Sequence, residues 1–154
     1  MKRKDYNMTK QLLIAITAFF LICSNVSAQV NQVWIAEFNG SGNSADLSYS
    51  MAIDQSGNTY ITGESYMAAG NYDYITIKYN SNGDTAWTRY YNGPGNNRDI
   101  GRDITVDEIE NVYVTGESYG TANYDMATIK YNSDGVQQWA ARYNGPANGA
   151  DGSP

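Results

Sequence analysis

From about residue 46 onward, apolar and polar side chains alternate in short runs separated by clusters of Asn, Asp, Ser and Gly. That is the pattern of strands joined by tight turns. Residues 49–53 put Met51 and Ile53 on one face. Asp54-Gln55-Ser56-Gly57-Asn58 then predicts a turn, with Gly57 the residue that accepts a positive φ. Residues 59–65, rich in β-branched and aromatic side chains, predict a second strand. A loop over 67–71 leads to a third, 74–79, in which Ile75, Ile77 and Tyr79 alternate with Tyr74, Thr76 and Lys78. Asn80-Ser81-Asn82-Gly83-Asp84 predicts another turn, residues 86–91 a fourth strand, and Asn92-Gly93-Pro94 breaks the chain. After residue 28 no stretch has a convincing 3.6-residue apolar period, so essentially no helix is expected.

The four-strand unit repeats. Residues 54–94 align with 107–146, one residue shorter, and at least 23 of the 40 aligned pairs are identical, too many for unrelated segments. Thr62-Gly63-Glu64-Ser65-Tyr66 recurs as Thr115-Gly116-Glu117-Ser118-Tyr119. Trp34, Trp87 and Trp139 mark one point in three successive copies, and Gly63 and Gly116 mark another. Four strands every fifty or so residues, with packable side chains on both faces, predict β-propeller blades. The expected fold is all-β: an incomplete propeller of two four-stranded antiparallel blades plus an extra N-terminal outer strand. The outer strand falls at about 33–39, blade 1 at about 46–92, blade 2 at about 99–145, and a third repeat starts over 147–154. Trp87 and Trp139 are both expected in the core. Two blades leave faces and edges open, so the sequence reads as a fragment of a longer protein; the alternative is a ring assembled from several copies.

Asp-x-x-Gly-Asn-x-Tyr-Ile/Val-Thr-Gly, then Tyr-Asp-Tyr-x-Thr-Ile-Lys-Tyr-Asn-Ser-x-Gly, then Trp and Tyr-Asn-Gly-Pro, resemble the bacterial SBBP β-propeller repeat. The first copy carries the pattern intact; the second departs at its first turn, where Ile109 and Glu110 replace Ser and Gly. The resemblance covers about residues 32–151. It implies a seven-bladed-type propeller, secretion and often a larger multi-domain parent, and it implies no defined activity.

The N-terminal residues change the picture of location. Lys2, Arg3, Lys4 and Lys10 precede a twelve-residue apolar run over 12–23, too short to span a bilayer core of ~30 Å. Small residues follow, with Val26 and Ala28 at the two positions a signal peptidase reads. Residues 1–28 are therefore expected to be a signal peptide cleaved before Gln29, the alternative being an uncleaved anchor. Ile22 before Cys23 is not the small residue a lipidation site prefers. With the family resemblance, this predicts a secreted, periplasmic or cell-surface protein of a Gram-negative bacterium, with no stable membrane insertion after cleavage.

The chain has 10 basic and 16 acidic residues; four of the basic and one of the acidic lie in the leader, leaving 6 against 15, a net charge of −9. Such a protein repels phosphate backbones, so no nucleic-acid partner is expected. The single Cys lies in the leader and there is no His. That removes disulfides, Cys–His nucleophile pairs, His-ligated zinc and c-type haem attachment from the expected mature chain. No catalytic, cofactor or metal residues are assigned. Glu64 and Glu117 have the types a glycosidase pair needs, but they occupy equivalent repeat positions and are expected to see the same neighbours, whereas such a pair needs two environments. Asp54, Gly57 and Asn58 carry part of a calcium-loop pattern that lacks its last acidic ligand, so turn chemistry accounts for them. Tyr72-Asp73 and Tyr124-Asp125 are candidate ligand contacts, since a ring beside a carboxylate holds a sugar, or else packing at the blade edge. The expected function is a non-catalytic binding or scaffolding module, taking protein or glycan through blade loops and associating with further blades or with its own copies. The alternatives are a fragment of a propeller enzyme, quinone-dependent dehydrogenase-like or glycosidase-like, and a self-assembling glycan-binding ring.

Overall fold

The computed structural model describes residues 31–151, so the expected leader lies outside the described residues. Val33–Pro154 forms one compact unit. Its described part has eight strands and no helix: β1 (Asp46–Ile53), β2 (Thr59–Tyr66), β3 (Tyr72–Tyr79), β4 (Thr85–Tyr91), β5 (Asp99–Val106), β6 (Val112–Tyr119), β7 (Tyr124–Tyr131) and β8 (Gln137–Tyr143). They form two antiparallel meanders, β1-β2-β3-β4 and β5-β6-β7-β8, with no strand crossing between them. The fold is an unclosed β-propeller of two blades.

Turn chemistry shapes each meander. Asp54 accepts hydrogen bonds from the Ser56 and Asn58 amides, the Asn58 side chain and the Tyr60 hydroxyl, at 2.8–3.0 Å. Both carboxylate oxygens are thus committed to the turn, an Asx arrangement in which the side chain mimics a backbone turn within a five-residue loop. Asp107 makes the same bonds to Ile109, Asn111 and Tyr113. The departure at Ile109 and Glu110 therefore leaves the second turn formed. Glu110 takes a left-handed φ of 62° where the first copy has Gly57 at 79°.

Most of the core lies between the blades. Tyr60, Tyr74 and Trp87 of blade 1 pack against Ile104, Val112, Val114, Ala127, Ile129 and Tyr131 of blade 2. A smaller cluster, Ile75, Ile77 and Tyr79, lies on the opposite face of blade 1 and is covered by Ala36 and Phe38.

Two expectations are corrected. The outer strand expected over 33–39 is in no β-ladder. Its side chains still alternate between half-buried (Trp34, Ala36, Phe38) and exposed (Val33, Ile35, Glu37), so it lies on blade 1 as an outer strand would, but among the described residues no third strand stands beside it to accept its hydrogen bonds. Trp139 is not in the core: it is 43% exposed, against 8% for Trp87. The two residues hold the same place in their blades, but Trp87 is covered by blade 2 and no described residue covers Trp139 from the corresponding side.

Candidate functional site

The densest polar arrangement joins the blades around Glu64. Both inner strands bulge, β1 at Tyr49 and β5 at Arg102. The bulges bring the backbone of β1 onto Gly63 and that of β5 onto Gly116, where a Cβ would collide with the Leu47 and Ile100 carbonyls. The two marker glycines are thus required by close approach rather than by their φ. Bulges also re-aim side chains. The Tyr49 hydroxyl donates to Glu64 Oε1 at 2.6 Å, and Arg102 Nε to Glu117 Oε1 at 3.1 Å.

Glu64 has a further partner that Glu117 lacks. Arg98, in the inter-blade loop just before β5, grips both its oxygens, Nε to Oε2 at 2.6 Å and Nη2 to Oε1 at 2.5 Å. The glutamate is fully buried. Burial pushes its carboxyl upward, but the hydrogen bonds from Arg98 and Tyr49 and the charges of Arg98 and Arg102 outweigh that and hold it below the ordinary range. Arg98 also lies over the Tyr72 ring at 5.6 Å, and Arg102 over Tyr49 at 4.9 Å. The expectation that Glu64 and Glu117 share one environment is therefore overturned. The position of Arg98 is Ala45 in the preceding repeat and Ala150 in the following one, so only the first glutamate meets a guanidinium from the loop that follows its blade. Chemically, Glu64 is a locked carboxylate with no proton to give near neutrality.

The Tyr-Asp pairs open β3 and β7 with their carboxylates turned inward. Asp73 and Asp125 are 6% and 7% exposed. Burial, with the charge of Asp99 second, pushes Asp73 up to about 6 despite a hydrogen bond from Asn71 at 3.0 Å. Asp125 is paired with Arg142 at 2.9 Å, a residue whose counterpart in blade 1 is Tyr90. Tyr72 and Tyr124 are half-buried and stack edge-on against Tyr66 and Tyr119, centroids 5.0 and 5.1 Å apart. Carboxylate and ring are thus used within the blade edge.

Further residues join the blades away from Glu64. Lys78 reaches Glu110 across the interface at 2.9 Å. Trp87 Nε1 donates to the Ser133 carbonyl at 3.0 Å, and Arg89 to the Gly135 and Asp134 carbonyls at 2.6 and 3.1 Å, so β4 grips the β7–β8 turn. Asp99 anchors the inter-blade loop, accepting from the Gly93 and Tyr119 amides at 2.8 and 3.0 Å. Asp46 holds the loop before β1, accepting from the Gly40 amide and the Ser65 hydroxyl, and Asp151 accepts from the Gly145 amide. The signal for the charged set was present as disagreement between copies: Arg98 against Ala45, Glu110 against Gly57, Arg89 against Ala141.

A cavity of about 190 Å³ opens on the outer face of blade 1, with Phe38, Ile61, Thr62, Glu64, Ile75 and Ile77 in its walls. Another, of about 220 Å³, lies between the first turns of the two blades, beside Asp54, Asp107, Glu108 and Glu110.

The family model of the SBBP β-propeller repeat matches residues 33–66 and 86–125. Each match begins at a segment bearing a tryptophan, Trp34 or Trp87, and continues through the first two strands of the blade that follows. No curated protein matches the chain.

Proposed function

The chain belongs to the SBBP β-propeller repeat family, and on that footing we propose that it is an exported, non-catalytic module that binds or scaffolds. The observation that carries the reading is the state of Glu64. The best-placed buried acid is held as an anion by a tyrosine of its own blade and a two-pronged arginine that ties it to the next, so its hydrogen bonds go to structure. A general acid needs the opposite setting, a carboxyl whose surroundings raise its pKa to near the working pH. Asp73 is raised, but it sits under the rim and is 6% exposed. Binding falls to the rim loops 67–71 and 120–123, whose tips are exposed, with protein or glycan as the class of partner. Export rests on the order of basic, apolar and small residues over 1–28.

The test pairs a chemical readout with a structural one. A glycan panel is expected to show no hydrolysis by the parent or by Glu64→Gln, while the variant loses stability. Parent turnover that disappears in Glu64→Gln would replace this reading with an enzymatic one. N-terminal sequencing of the exported protein is expected to begin at Gln29, and recovery of Met1 would remove the export reading.

A further inference from the structure

Blade 1 has two faces, and its chain covers them in the same way with different residues. On the back face Trp87 lies over Gly135 in the β7–β8 turn, so close that a Cβ there would come within 2.7 Å of the indole. It also meets Tyr131 with centroids 6.1 Å apart. On the front face Trp34 lies over Gly83 in the β3–β4 turn, where a Cβ would be 2.8 Å from the ring, and meets Tyr79 at 6.0 Å. Gly83 and Tyr79 are the repeat counterparts of Gly135 and Tyr131. The front of blade 1 is therefore a blade-accepting socket, and residues 33–39 occupy it.

The matching plug is also present. On the back of blade 2, Tyr113 and Trp139 are 6.3 Å apart with Lys130 over the tyrosine at 5.1 Å. The buried counterparts Tyr60, Trp87 and Lys78 have 6.2 and 5.2 Å. This set, with Trp139 exposed and Tyr113 and Lys130 half-buried, holds the arrangement that blade 1 uses to bind blade 2, without a described partner. The cavity on the front of blade 1 completes the match. Between the blades Tyr74 fills the equivalent space, its hydroxyl 3.4 Å from the Ala127 carbonyl. The counterpart of Tyr74 on blade 2 is Met126, 40% exposed.

We propose that the front face of blade 1 is a docking surface for the back face of blade 2 in a second copy of the chain, and that residues 33–39 hold it closed. One glycine socket cannot hold Trp34 and an incoming Trp139 together, so docking requires the segment to leave. The tethered Trp34 has the advantage of effective concentration over a ring that arrives from solution. Once opened, the contact is head-to-tail and propagates, into rings where the rotation closes and filaments where it does not. Lys130 would face Gly57 where Lys78 faces Glu110, so this contact is weaker than the one inside the chain.

Sedimentation velocity over a wide concentration range tests this on residues 29–154, which contain the compact unit. The parent is expected to stay monomeric. Trp34→Ser, and a chain starting at residue 41, are expected to sediment faster as concentration rises. Trp139→Ser in either background restores the monomer, as does excess peptide 31–42. Far-UV circular dichroism identifies the variants that keep their strands. If deletion unfolds the chain, Trp34→Ser decides alone, since it leaves the backbone of the segment in place. A folded Trp34→Ser chain that stays monomeric overturns the proposal. So does association that Trp139→Ser leaves intact, or a parent that associates through Trp139 with its segment in place.

Discussion

Replacing Glu64 and Glu117 separately by Gln probes the asymmetry between the blades most directly. The residues are twins in sequence, and each sits beside a bulge. Glu64→Gln removes the charge from a fully buried side chain bound at two points by Arg98. Breaking a buried ion pair costs about 3–5 kcal/mol. Arg98 is 45% exposed and regains water when its partner is lost, which brings the expected loss to roughly 2–3 kcal/mol. At Glu117 the pair with Arg102 is 15% and 35% exposed, so the loss is about 0–1 kcal/mol, as for other surface pairs. Urea unfolding followed by tryptophan fluorescence reads both, with an unchanged slope showing that stability alone has moved. The pH dependence gives a second check. The folded Glu64 carboxyl lies below its ordinary value, so its contribution is fully present above the unfolded pKa and is lost as pH falls from there through the lower, folded value. Parent and Glu64→Gln should therefore differ near neutrality and converge in acid. Equal losses at the two glutamates, or a difference that persists in acid, would refute the asymmetry.

Trp87→Ala is expected to cost about 3–5 kcal/mol, since it opens a cavity between the blades and leaves the Ser133 carbonyl without its donor. Trp139→Ala, where one side of the ring already meets water, should cost about 1–2 kcal/mol of transfer energy without a cavity; equal costs in urea titrations would refute the difference in burial. Asp73→Asn should stabilise the protein at pH 7, by up to roughly 2–3 kcal/mol at 1.36 kcal/mol per unit, because Asn resembles the neutral form that burial favours. The sign follows from a folded value near 6 above an ordinary 3.8: the Asp73 contribution is full below the lower value and lost as pH rises through the higher one. Thermal melts of the parent should show that loss between pH 4 and 7, and those of Asp73→Asn should show it reduced; identical profiles would count against it.

The polar clasps show where sequence reading stopped. Asp54 with Gly57 and Asn58 was legible as a turn because every partner lies within six residues. The grip of Arg98 on Glu64 spans 34 residues and that of Lys78 on Glu110 spans 32, so no local pattern announces either. The Tyr-Asp pairs were legible as paired chemistry, but whether a carboxylate faces solvent or the blade interior depends on neighbours such as Asp99 and Arg142 that arrive from other strands.

Sequence alone determined what depends on near neighbours: strand period, turn positions, the length of the repeat and the all-β fold. Each follows from backbone preferences that act over a few residues and are printed twice in this chain. Only the tertiary structure decided what depends on the adjoining blade. Among the described residues blade 1 is flanked on both faces and blade 2 on one, so Trp87 is buried and Trp139 is not, and Glu64 is bound by an arginine that Glu117 lacks. For the same reason residues 33–39 lie on a blade without pairing: a strand needs a neighbour for its hydrogen bonds, and alternation along its own residues cannot supply one.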